Sequence, residues 1–291
     1  MCLTAEKDVF VIHNPAAKGH KSARLADEIR RLSPRIVLRS SDQPDGARKL
    51  AEHAVREGFH TIVAAGGDGT INEVVNGIAD SKVRFGLLPS GTMNVFASEL
   101  GLPSGLADCW EIIEYGATRR VDLGMANGHY FVQLAGIGLD AQIVQQTDPE
   151  TKRTLGPLSY IMSAAVVAAR TPPRLVAEAE GRGEVEGSFI LIGNGRFYGG
   201  PFVLFQDAKI DDGLLDVLVF HSLGYFDILR YLTEVLVGKH TEMGEVDYFQ
   251  TRCISVVREE GVPFEVDGEL AGAVPVTFSA APLQLEVLVP V

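Results

Sequence analysis

The amino-acid sequence predicts an N-terminal α/β domain with a parallel sheet, followed by an all-β domain of the sandwich or barrel type. Strand-like and helix-like segments alternate four times in about the first hundred residues, as they do in parallel sheets covered by helices. After about residue 120, short strand-like segments between Gly-rich turns replace this alternation. The length of 291 residues also suits two domains, because single cores stop growing near about 250 to 300 residues. We therefore expect domains at 1–124 and 125–291, and we allow for the extreme C-terminus to return to the first.

Four strand–helix units are expected in the N-terminal domain. In each unit an apolar or β-branched run comes first, and a helical pattern follows after a polar loop. In chain order, the predicted pairs are 9–14 with 22–32, 35–39 with 45–57, 61–65 with 71–79, and 85–88 with 93–100. Sheets of this kind bind ligands at the carboxyl ends of their strands, so the loops that follow the strands form the candidate site.

The C-terminal domain is predicted to consist of strands interrupted by two helices. A two-residue hairpin turn is expected at Asn127-Gly128, between strand-like runs at 120–126 and 129–135. The other predicted strands are 175–179, 188–192, 214–220, 253–257, 263–266 and 283–289, and the two helices are 158–169 and 225–237. We find no internal repeat and no low-complexity linker, so the boundary is a change of pattern rather than a flexible tether.

Composition and charge exclude several classes of protein. The 26 Lys and Arg against 38 Asp and Glu give a net charge of −12, whereas a nucleic-acid-binding protein concentrates positive charge on one face. The three cysteines, Cys2, Cys109 and Cys253, lack metal-type spacing and fit a reducing cytoplasm. Acidic residues near the start argue against a secretion signal, and the longest apolar run, 160–169, is about half the ~20 residues of a membrane-spanning helix. We expect a cytoplasmic protein that is soluble or touches a membrane surface.

A Gly-rich loop follows the third predicted strand. In Gly66-Gly67-Asp68-Gly69-Thr70, the glycines allow successive backbone N–H groups to converge on an anion at the start of a helix expected near Ile71. The Gly-Lys-Ser/Thr of a Walker A loop is missing, and Asn72 stands where a dinucleotide fingerprint has its third glycine. Taken alone, this loop fits two interpretations equally well: a phosphate-binding loop, or a tight turn in which Asp68 only caps the helix.

Two more polar loops follow other strands of the same predicted sheet. Residues 14–19 (NPAAKG) come after the first strand, and residues 89–94 (PSGTMN) come after the fourth. Because parallel strands end at one edge of the sheet, the three loops are expected to lie together. Three such loops favour a nucleotide site over three unrelated turns.

Five segments together resemble the ordered motif set of the diacylglycerol kinase catalytic-domain family, which includes bacterial soluble lipid kinases and sphingosine kinases. They are GGDGTINEVVNG (66–77), LLPSGTMNVFA (87–97), NGRFYGG (194–200), DAKIDDGLLDV (207–217) and VDGEL (266–270). GGDGT alone is shared with NAD kinases, whereas the five motifs in order are specific. The resemblance implies a kinase that uses ATP and Mg²⁺ and receives a lipid in a cleft between an α/β and a β-rich domain. Val95 departs from the pattern, since many members carry Asp there.

The resemblance also implies roles for individual residues. The residues expected to hold ATP are Asn14, Ser41, Gly66, Gly67, Asp68, Gly69, Thr70, Ile71, Asn72, Glu73 and Thr92. Asp68 is expected to orient the Mg²⁺-bound phosphates, and Glu269 to be the general base that takes the proton from the acceptor hydroxyl. Asp212, with the main-chain carbonyls of Lys209 and Leu214, is expected to bind a structural Mg²⁺. Without the resemblance, the Glu269 and Asp212 segments would be an ordinary hairpin turn and an ordinary acidic turn.

The resemblance implies transfer of the γ-phosphate of ATP to a lipid hydroxyl, with diacylglycerol as the expected acceptor and phosphatidic acid, a phospholipid precursor, as the product. The expected partner is lipid at the membrane surface. We expect no nucleic-acid partner and no transmembrane segment, and the sequence leaves open whether the protein forms a homodimer. An NAD kinase-like phosphotransferase and a non-catalytic nucleotide or lipid sensor are the alternatives. The acidic loop around Asp212 and the late Asp-Gly-Glu favour the lipid family, while the presence of both Asp68 and Glu269 argues against a sensor.

Overall fold

The computed structural model describes residues 9–15, 20–41, 43–139, 141–142, 172–200, 202–222 and 224–291. The chain divides into two compact units, one formed by residues 1–121 with 283–291 and the other by residues 122–282. The helix predicted at 158–169 lies outside the described residues, as do Cys2 and residues 16–19 of the loop after the first strand. The predicted fold class is confirmed, since the first unit has a parallel sheet and the second has antiparallel sheets.

The first unit alternates strands and helices. Its elements are β1 (Val9–His13), α1 (His20–Leu32), β2 (Ile36–Ser40), α2 (Gly46–Arg56), β3 (Thr61–Gly66), α3 (Asp68–Ile78), β4 (Arg84–Pro89), α4 (Val95–Glu99) and α5 (Leu106–Tyr115). The strands are ordered β2–β1–β3–β4 and are parallel. The end of the last strand of the chain adds to β4, also in parallel, with Glu286 opposite Arg84.

Three features of this unit differ from the sequence prediction. Helix α3 begins at Asp68 and not near Ile71, because an acidic residue in the first turn is favoured by the positive end of the helix dipole. Helix α4 has only five residues, and Asn94 before it adopts a left-handed conformation with φ of 49°. Helix α5 was not predicted at all; it buries Cys109, Trp110 and Ile113 against the sheet.

The second unit is built from strands, one α-helix whose bounds are described, and a short 3₁₀ helix at His240–Glu242. Its elements, in chain order, are β5 (Ala117–Ala126), β6 (His129–Phe131), β7 (Leu134–Ile137), β8 (Leu175–Ala179), β9 (Gly183–Gly187), β10 (Phe189–Gly193), β11 (Phe197–Tyr198), β12 (Phe202–Val203), β13 (Leu215–Phe220), α6 (Tyr225–Val237), β14 (Val246–Thr251), β15 (Cys253–Arg258), β16 (Pro263–Val266), β17 (Glu269–Ala273) and β18 (Val276–Val289). The first residues of β5 and the last residues of β18 belong to the other unit.

Two antiparallel layers share one apolar core in this unit. One has the order β14–β13–β10–β7–β16–β17, and the other joins β18, β15, β8 and β9. Ile137, Ile190, Ile254, Phe264 and Phe278 are fully buried in the core that both layers line. A pair of facing apolar layers is the arrangement of a β-sandwich.

The predicted hairpin at Asn127-Gly128 is confirmed, because Ala126 pairs with His129 and both turn residues have positive φ. The run 129–135 that follows was predicted as one strand, but it splits into β6 and β7 at Val132 and Gln133. The sequence analysis does not predict β9, β11, β12, β14 or β17, and β18 begins at Val276 rather than at residue 283. Strand β9 lies at the edge of its layer and is rich in Gly and Glu, so it lacks the apolar alternation of a half-buried strand.

Candidate functional site

Two glycines cross at the carboxyl ends of β3 and β4. A Cβ atom on Gly91 would lie 2.6 Å from the Cα atom of Gly67, and a Cβ atom on Gly67 would lie 3.2 Å from the Cα atom of Gly91. The N–H of Ser90 donates to the carbonyl of Gly66 over 2.9 Å, which continues the strand pairing into the loops. The two Gly-rich loops therefore touch through their backbones, and only glycine allows this approach on both sides.

The carboxylate of Asp68 joins the same two loops. The main-chain N–H groups of Asn94, Val95 and Phe96, at the start of α4, lie close to it and favour its charged form. Burial nevertheless raises the pKa of Asp68 above its ordinary value, because desolvation of the charge outweighs the effect of these N–H groups. Its Oδ1 atom is buried and has no hydrogen-bond partner among the described residues. The carboxylate thus lies beside the second loop, and its buried Oδ1 is left for a further ligand.

Asn94 closes the second loop and was not predicted as a site residue. The N–H of Gly91 donates to Asn94 Oδ1 over 2.8 Å, and Asn94 Nδ2 donates to the Gly91 carbonyl over 3.1 Å. Asn tolerates the left-handed φ of 49° better than most residues, so the backbone and the side chain favour the same loop. The signal available in the sequence was an Asn three residues after a Gly, which is typical of such side-chain-closed turns.

Asn14 and Ser41 lie at the same edge of the sheet as the two Gly-rich loops. The N–H of Asn14 donates to the carbonyl of Ala65 over 3.3 Å, and the N–H of Ser41 donates to the carbonyl of His13 over 2.8 Å. Ser41 is buried, with its hydroxyl against Gly46 at the start of α2. The structure therefore places Asn14 and Ser41 at the same sheet edge as the loops after β3 and β4.

The side chains of several predicted ATP-binding residues are buried in the first unit or form hydrogen bonds within it. Thr70 and Ile71 are buried in the first turn of α3, which also contains Gly69, and Asn72 accepts a hydrogen bond from Asn76 Nδ2 over 3.1 Å. Glu73 Oε2 accepts the N–H of Ala47 over 2.9 Å and so caps the start of α2. Thr92, in contrast, is exposed at the tip of the second loop.

The acidic loop of the second unit is held by a buried carboxylate. Asp122 is only 5% exposed, and its Oδ2 accepts the N–H of Gly213 over 2.7 Å. Asp212 is exposed, and its Oδ1 accepts the N–H of Leu214 over 3.0 Å. Lys209 is exposed at the start of this loop. Within the described part of the chain, no three His, Cys, Asp or Glu side chains converge on a metal position, whereas the predicted set needs one carboxylate and two carbonyls.

A second buried carboxylate follows that loop. Asp216 is 1% exposed; it accepts hydrogen bonds from the Tyr248 hydroxyl and, over 3.2 Å, from Gln250 Nε2. Burial, with a smaller contribution from the nearby carboxylates of Asp212 and Asp207, raises the pKa of Asp216 to about 6 even though the hydrogen bonds from Tyr248 and Gln250 lower it. The loop thus carries a high density of negative charge, which a bound cation would relieve.

Glu269 is exposed and is the first residue of β17, directly after the hairpin turn at Asp267 and Gly268. Both turn residues have positive φ, 48° and 86°, which identifies the tight turn expected from Asp-Gly. Asn14, Ser41, 66–73 and Thr92 belong to the first unit, whereas Lys209, Asp212, Leu214 and Glu269 belong to the second.

Helix α6 has apolar residues on two faces. Ile228, Tyr231 and Val235 pack against the core of the second unit. The exposed apolar face, defined by Phe226, Leu232, Leu236 and Val237, is 82%, 40%, 68% and 60% exposed, respectively. Exposed apolar faces of this kind mark contact surfaces. No helix in the described ranges is both long and apolar enough to cross a bilayer.

Comparison with known families covers nearly the whole chain. Residues 8–126 match the model of the diacylglycerol kinase catalytic domain, and residues 134–289 match the model of the YegS C-terminal NAD kinase beta sandwich-like domain. The second match alone spans more than half of the chain and coincides with the antiparallel layers described above.

Similar proteins and structures agree with these matches. The chain is 30% identical to a diacylglycerol kinase of Staphylococcus aureus (strain MRSA252), over 98% of this chain and 93% of that protein. It is 28% identical to a diacylglycerol kinase of Staphylococcus carnosus (strain TM300), over 98% and 95%. In fold, it resembles a diacylglycerol kinase from Bacillus anthracis str. Sterne, with a TM-score of 0.78, 24% identity and 98% of each chain covered. An NAD kinase from Archaeoglobus fulgidus in complex with ATP is more distant, with a TM-score of 0.52, 13% identity and coverage of 96% and 93%.

Proposed function

The chain belongs to the diacylglycerol kinase family and is a lipid kinase, and we propose that it transfers the γ-phosphate of ATP to the hydroxyl group of diacylglycerol. The product would be phosphatidic acid, and Mg²⁺ would be the metal. The observation that carries the nucleotide part of this proposal is the crossing of Gly67 and Gly91, which brings the main chains of two polar loops into contact at the carboxyl edge of the parallel sheet.

ATP would be held mainly by main-chain groups of the first unit. In the loops after β3 and β4, glycines expose N–H groups, and α3 adds the positive end of its dipole at Asp68. Many of the nearby side chains are already engaged, since Glu73 caps α2 and Asn72 bonds within α3. We therefore infer two roles for the residues expected to hold ATP. Some bind it through their backbone N–H groups, whereas others use their side chains to fix the loops. The exposed side chain of Thr92 is available for direct contact with ATP.

Asp68 and Asp212 would each hold a separate Mg²⁺, one at the ATP phosphates and one structural. The buried Oδ1 of Asp68 lacks a hydrogen-bond partner among the described residues, and a buried carboxylate oxygen in that state suits a hard cation. The loop of Asp212 concentrates negative charge beside Asp216, whose pKa is raised to about 6. Bound Mg²⁺ supplies neutralisation of the charge on the transferred phosphate, which is the main requirement of phosphoryl transfer.

Glu269 would act as the general base. In the proposed step, the acceptor hydroxyl oxygen forms a bond to the γ-phosphorus, the bond from that phosphorus to the β–γ bridging oxygen breaks, and ADP leaves with the electron pair. The hydroxyl proton passes to the carboxylate of Glu269. This side chain is exposed, so it can reach a substrate that is itself held in a membrane. General bases contribute about 10² to 10⁴ in rate.

We further propose that the protein meets its lipid at a membrane surface and contacts the bilayer with the exposed apolar face of α6. A lipid kinase must reach a hydroxyl at the edge of a bilayer, and Phe226 is an aromatic residue of the kind that partitions into the membrane interface. Burial of an apolar side chain stabilises by about 1.5 to 3 kcal/mol, so a few such residues support a reversible contact. A second copy of the chain is the competing occupant of this face.

The acceptor is tested by supplying γ-labelled ATP with Mg²⁺ to the purified protein in three parallel reactions: with diacylglycerol in detergent micelles, with NAD, and without an acceptor. We expect label in phosphatidic acid, with neither labelled NADP nor rapid release of labelled phosphate. Label in NADP would favour the NAD kinase alternative, and ATP binding without turnover would favour a nucleotide sensor.

A further inference from the structure

We propose that Asp267 is a positioning residue of the reaction, because its carboxylate binds three consecutive backbone amides and thereby fixes the turn that carries Glu269. The inference rests on the proposed role of Glu269 as the general base and deepens it. It assigns a function to a side chain two positions away that does not itself meet the substrate.

The carboxylate of Asp267 accepts three main-chain hydrogen bonds, two from the segment between β6 and β7 and one from the first residue of β7. Its Oδ2 accepts the N–H of Val132 over 2.8 Å, and its Oδ1 accepts the N–H groups of Gln133 and Leu134 over 3.0 and 3.1 Å. The N–H of Asp267 donates in turn to the carbonyl of Leu134 over 2.9 Å. Hydrogen bonds to an ionised carboxylate are roughly twice as strong as neutral ones, so these contacts are a firm attachment.

The turn is also held from its other side. Glu265, one position before β16 ends, is 1% exposed, and its Oε2 accepts the N–H of Gly268 over 2.6 Å. Val266 pairs with Glu269 across the hairpin. The backbone on both sides of Asp267 is therefore fixed, and this fixes the position of the Cα atom of Glu269, the residue directly after the turn.

The segment that receives Asp267 is itself anchored in the core of the second unit. Asn194 is 1% exposed, and its Nδ2 donates to the carbonyls of Val132 and Asp122, both over 2.9 Å. The N–H of Asn194 donates to the carbonyl of Gln133 over 2.8 Å. Asp267 therefore ties the turn to a rigid, hydrogen-bonded segment, and a base placed on it keeps its position during the reaction.

Turn geometry alone does not explain this carboxylate. The hairpin at Asn127 and Gly128 has nearly the same φ values, 47° and 82°, and both of its turn residues are exposed. A tight turn of this type needs residues that tolerate positive φ, which Asn and Gly supply without a charge. Asp267 meets that need as well, and its three amide contacts are additional to it.

The test is a double-mutant cycle between Asp267→Asn and Glu269→Gln, with kcat and the KM for ATP measured for each variant with diacylglycerol micelles. Asn suits the positive φ but presents an NH₂ donor to backbone donors, so we expect kcat to fall by about 10- to 100-fold while the KM for ATP changes by less than about twofold. If Asp267 acts through Glu269, the kcat of the double variant should lie within about threefold of the kcat of Glu269→Gln alone. Multiplication of the two single effects would overturn the proposal.

A matched pair of alanine variants separates the loss of the carboxylate from the backbone penalty of placing Ala in the turn. Asp267→Ala and Asn127→Ala both place Ala at a φ near +48°, so they share the same backbone penalty, but only the first removes a carboxylate. We expect kcat to fall in Asp267→Ala and to stay within about twofold of the wild type in Asn127→Ala, because only Asp267 acts on Glu269. Equal loss in both would overturn the proposal.

Hydrogen exchange in the wild-type protein provides a measurement that does not depend on a folded variant or on kinase activity. The amides of Val132, Gln133 and Leu134 should be protected from exchange, since each donates to Asp267. Exchange at the rate of an open loop would overturn the proposed attachment. The proposed function fails on a different result: Glu269→Gln with wild-type kcat would remove the base, and the role of Asp267 with it.

Discussion

Substitution of Gly91 by Ala tests the contact between the two Gly-rich loops. The added methyl group would lie 2.6 Å from the Cα atom of Gly67 and 2.8 Å from Asn94 Oδ1. Ordinary contacts between carbon atoms are about 3.5 to 4.0 Å, so the loops must separate by about 1 Å. Neither neighbour can yield easily, because one is main chain and the other closes the loop through the N–H of Gly91.

The expected cost of Gly91→Ala has a stability part and a functional part. Overpacking of this kind destabilises by about 1 to 3 kcal/mol, which lowers the melting temperature by several degrees. A displacement of about 1 Å can cost about 100-fold in rate, so kcat/KM for ATP should fall by about 10- to 100-fold. Circular dichroism at rising temperature and steady-state kinetics at varied ATP give the two quantities.

Gly244→Ala is the matched control for this prediction. A Cβ atom on Gly244 would meet no atom within 4 Å, and its φ is not in the left-handed region. We expect the control to change the melting temperature and the ATP kinetics very little. The reasoning is refuted if Gly91→Ala behaves like the control, since the loops would then not be in backbone contact.

Three further changes test other parts of the site. Asp68→Asn should keep the fold but lower kcat at least tenfold, a barrier change of about 1.4 kcal/mol, because an NH₂ group would oppose the N–H donors at the start of α4; a smaller loss in the folded variant would contradict this. Asp212→Ala should reduce the rise in melting temperature produced by Mg²⁺, because it removes one of the two proposed Mg²⁺ sites, and an unchanged Mg²⁺ dependence would show an ordinary turn. Leu236→Asp should weaken sedimentation with phospholipid vesicles about tenfold, whereas Val257→Asp, at another exposed apolar residue, should not. A shift of Leu236→Asp from dimer to monomer in light scattering, without loss of vesicle binding, would instead assign the face of α6 to a second copy.

Local patterns were sufficient to predict the elements that depend on nearby residues. The helix at Tyr225–Val237 has the predicted bounds, and the hairpin turn at Asp267 has the φ values that Asp-Gly favours. Helix α5 was missed because Cys109, Trp110 and Ile113 form only a short apolar face after the four regular units. Strand β9 was missed because an edge strand needs little apolar sequence.

In the candidate site too, the features that depend on local sequence were predictable and those that depend on the complete fold were not. Convergence of the loops follows from the parallel sheet, so the positions of Asn14 and Ser41 at one edge with the Gly-rich loops were predictable. The partners of the carboxylates were not, because they are distant in sequence and depend on the complete fold. Glu73 binds a backbone amide 26 residues away, and Asp267 binds three that are more than 130 residues away.

The most direct test of the proposed reaction is the kcat of Glu269→Gln, measured as transfer of labelled γ-phosphate from ATP to diacylglycerol in micelles. The amide has the size of the carboxylate but cannot accept the proton, and Glu269 lies outside the unit that contains the proposed ATP loops. We predict a fall in kcat of about 10² to 10⁴ with an unchanged affinity for ATP and an unchanged melting temperature. Wild-type kcat in the folded variant would contradict the proposed base and would make Asp68 the leading candidate for that role.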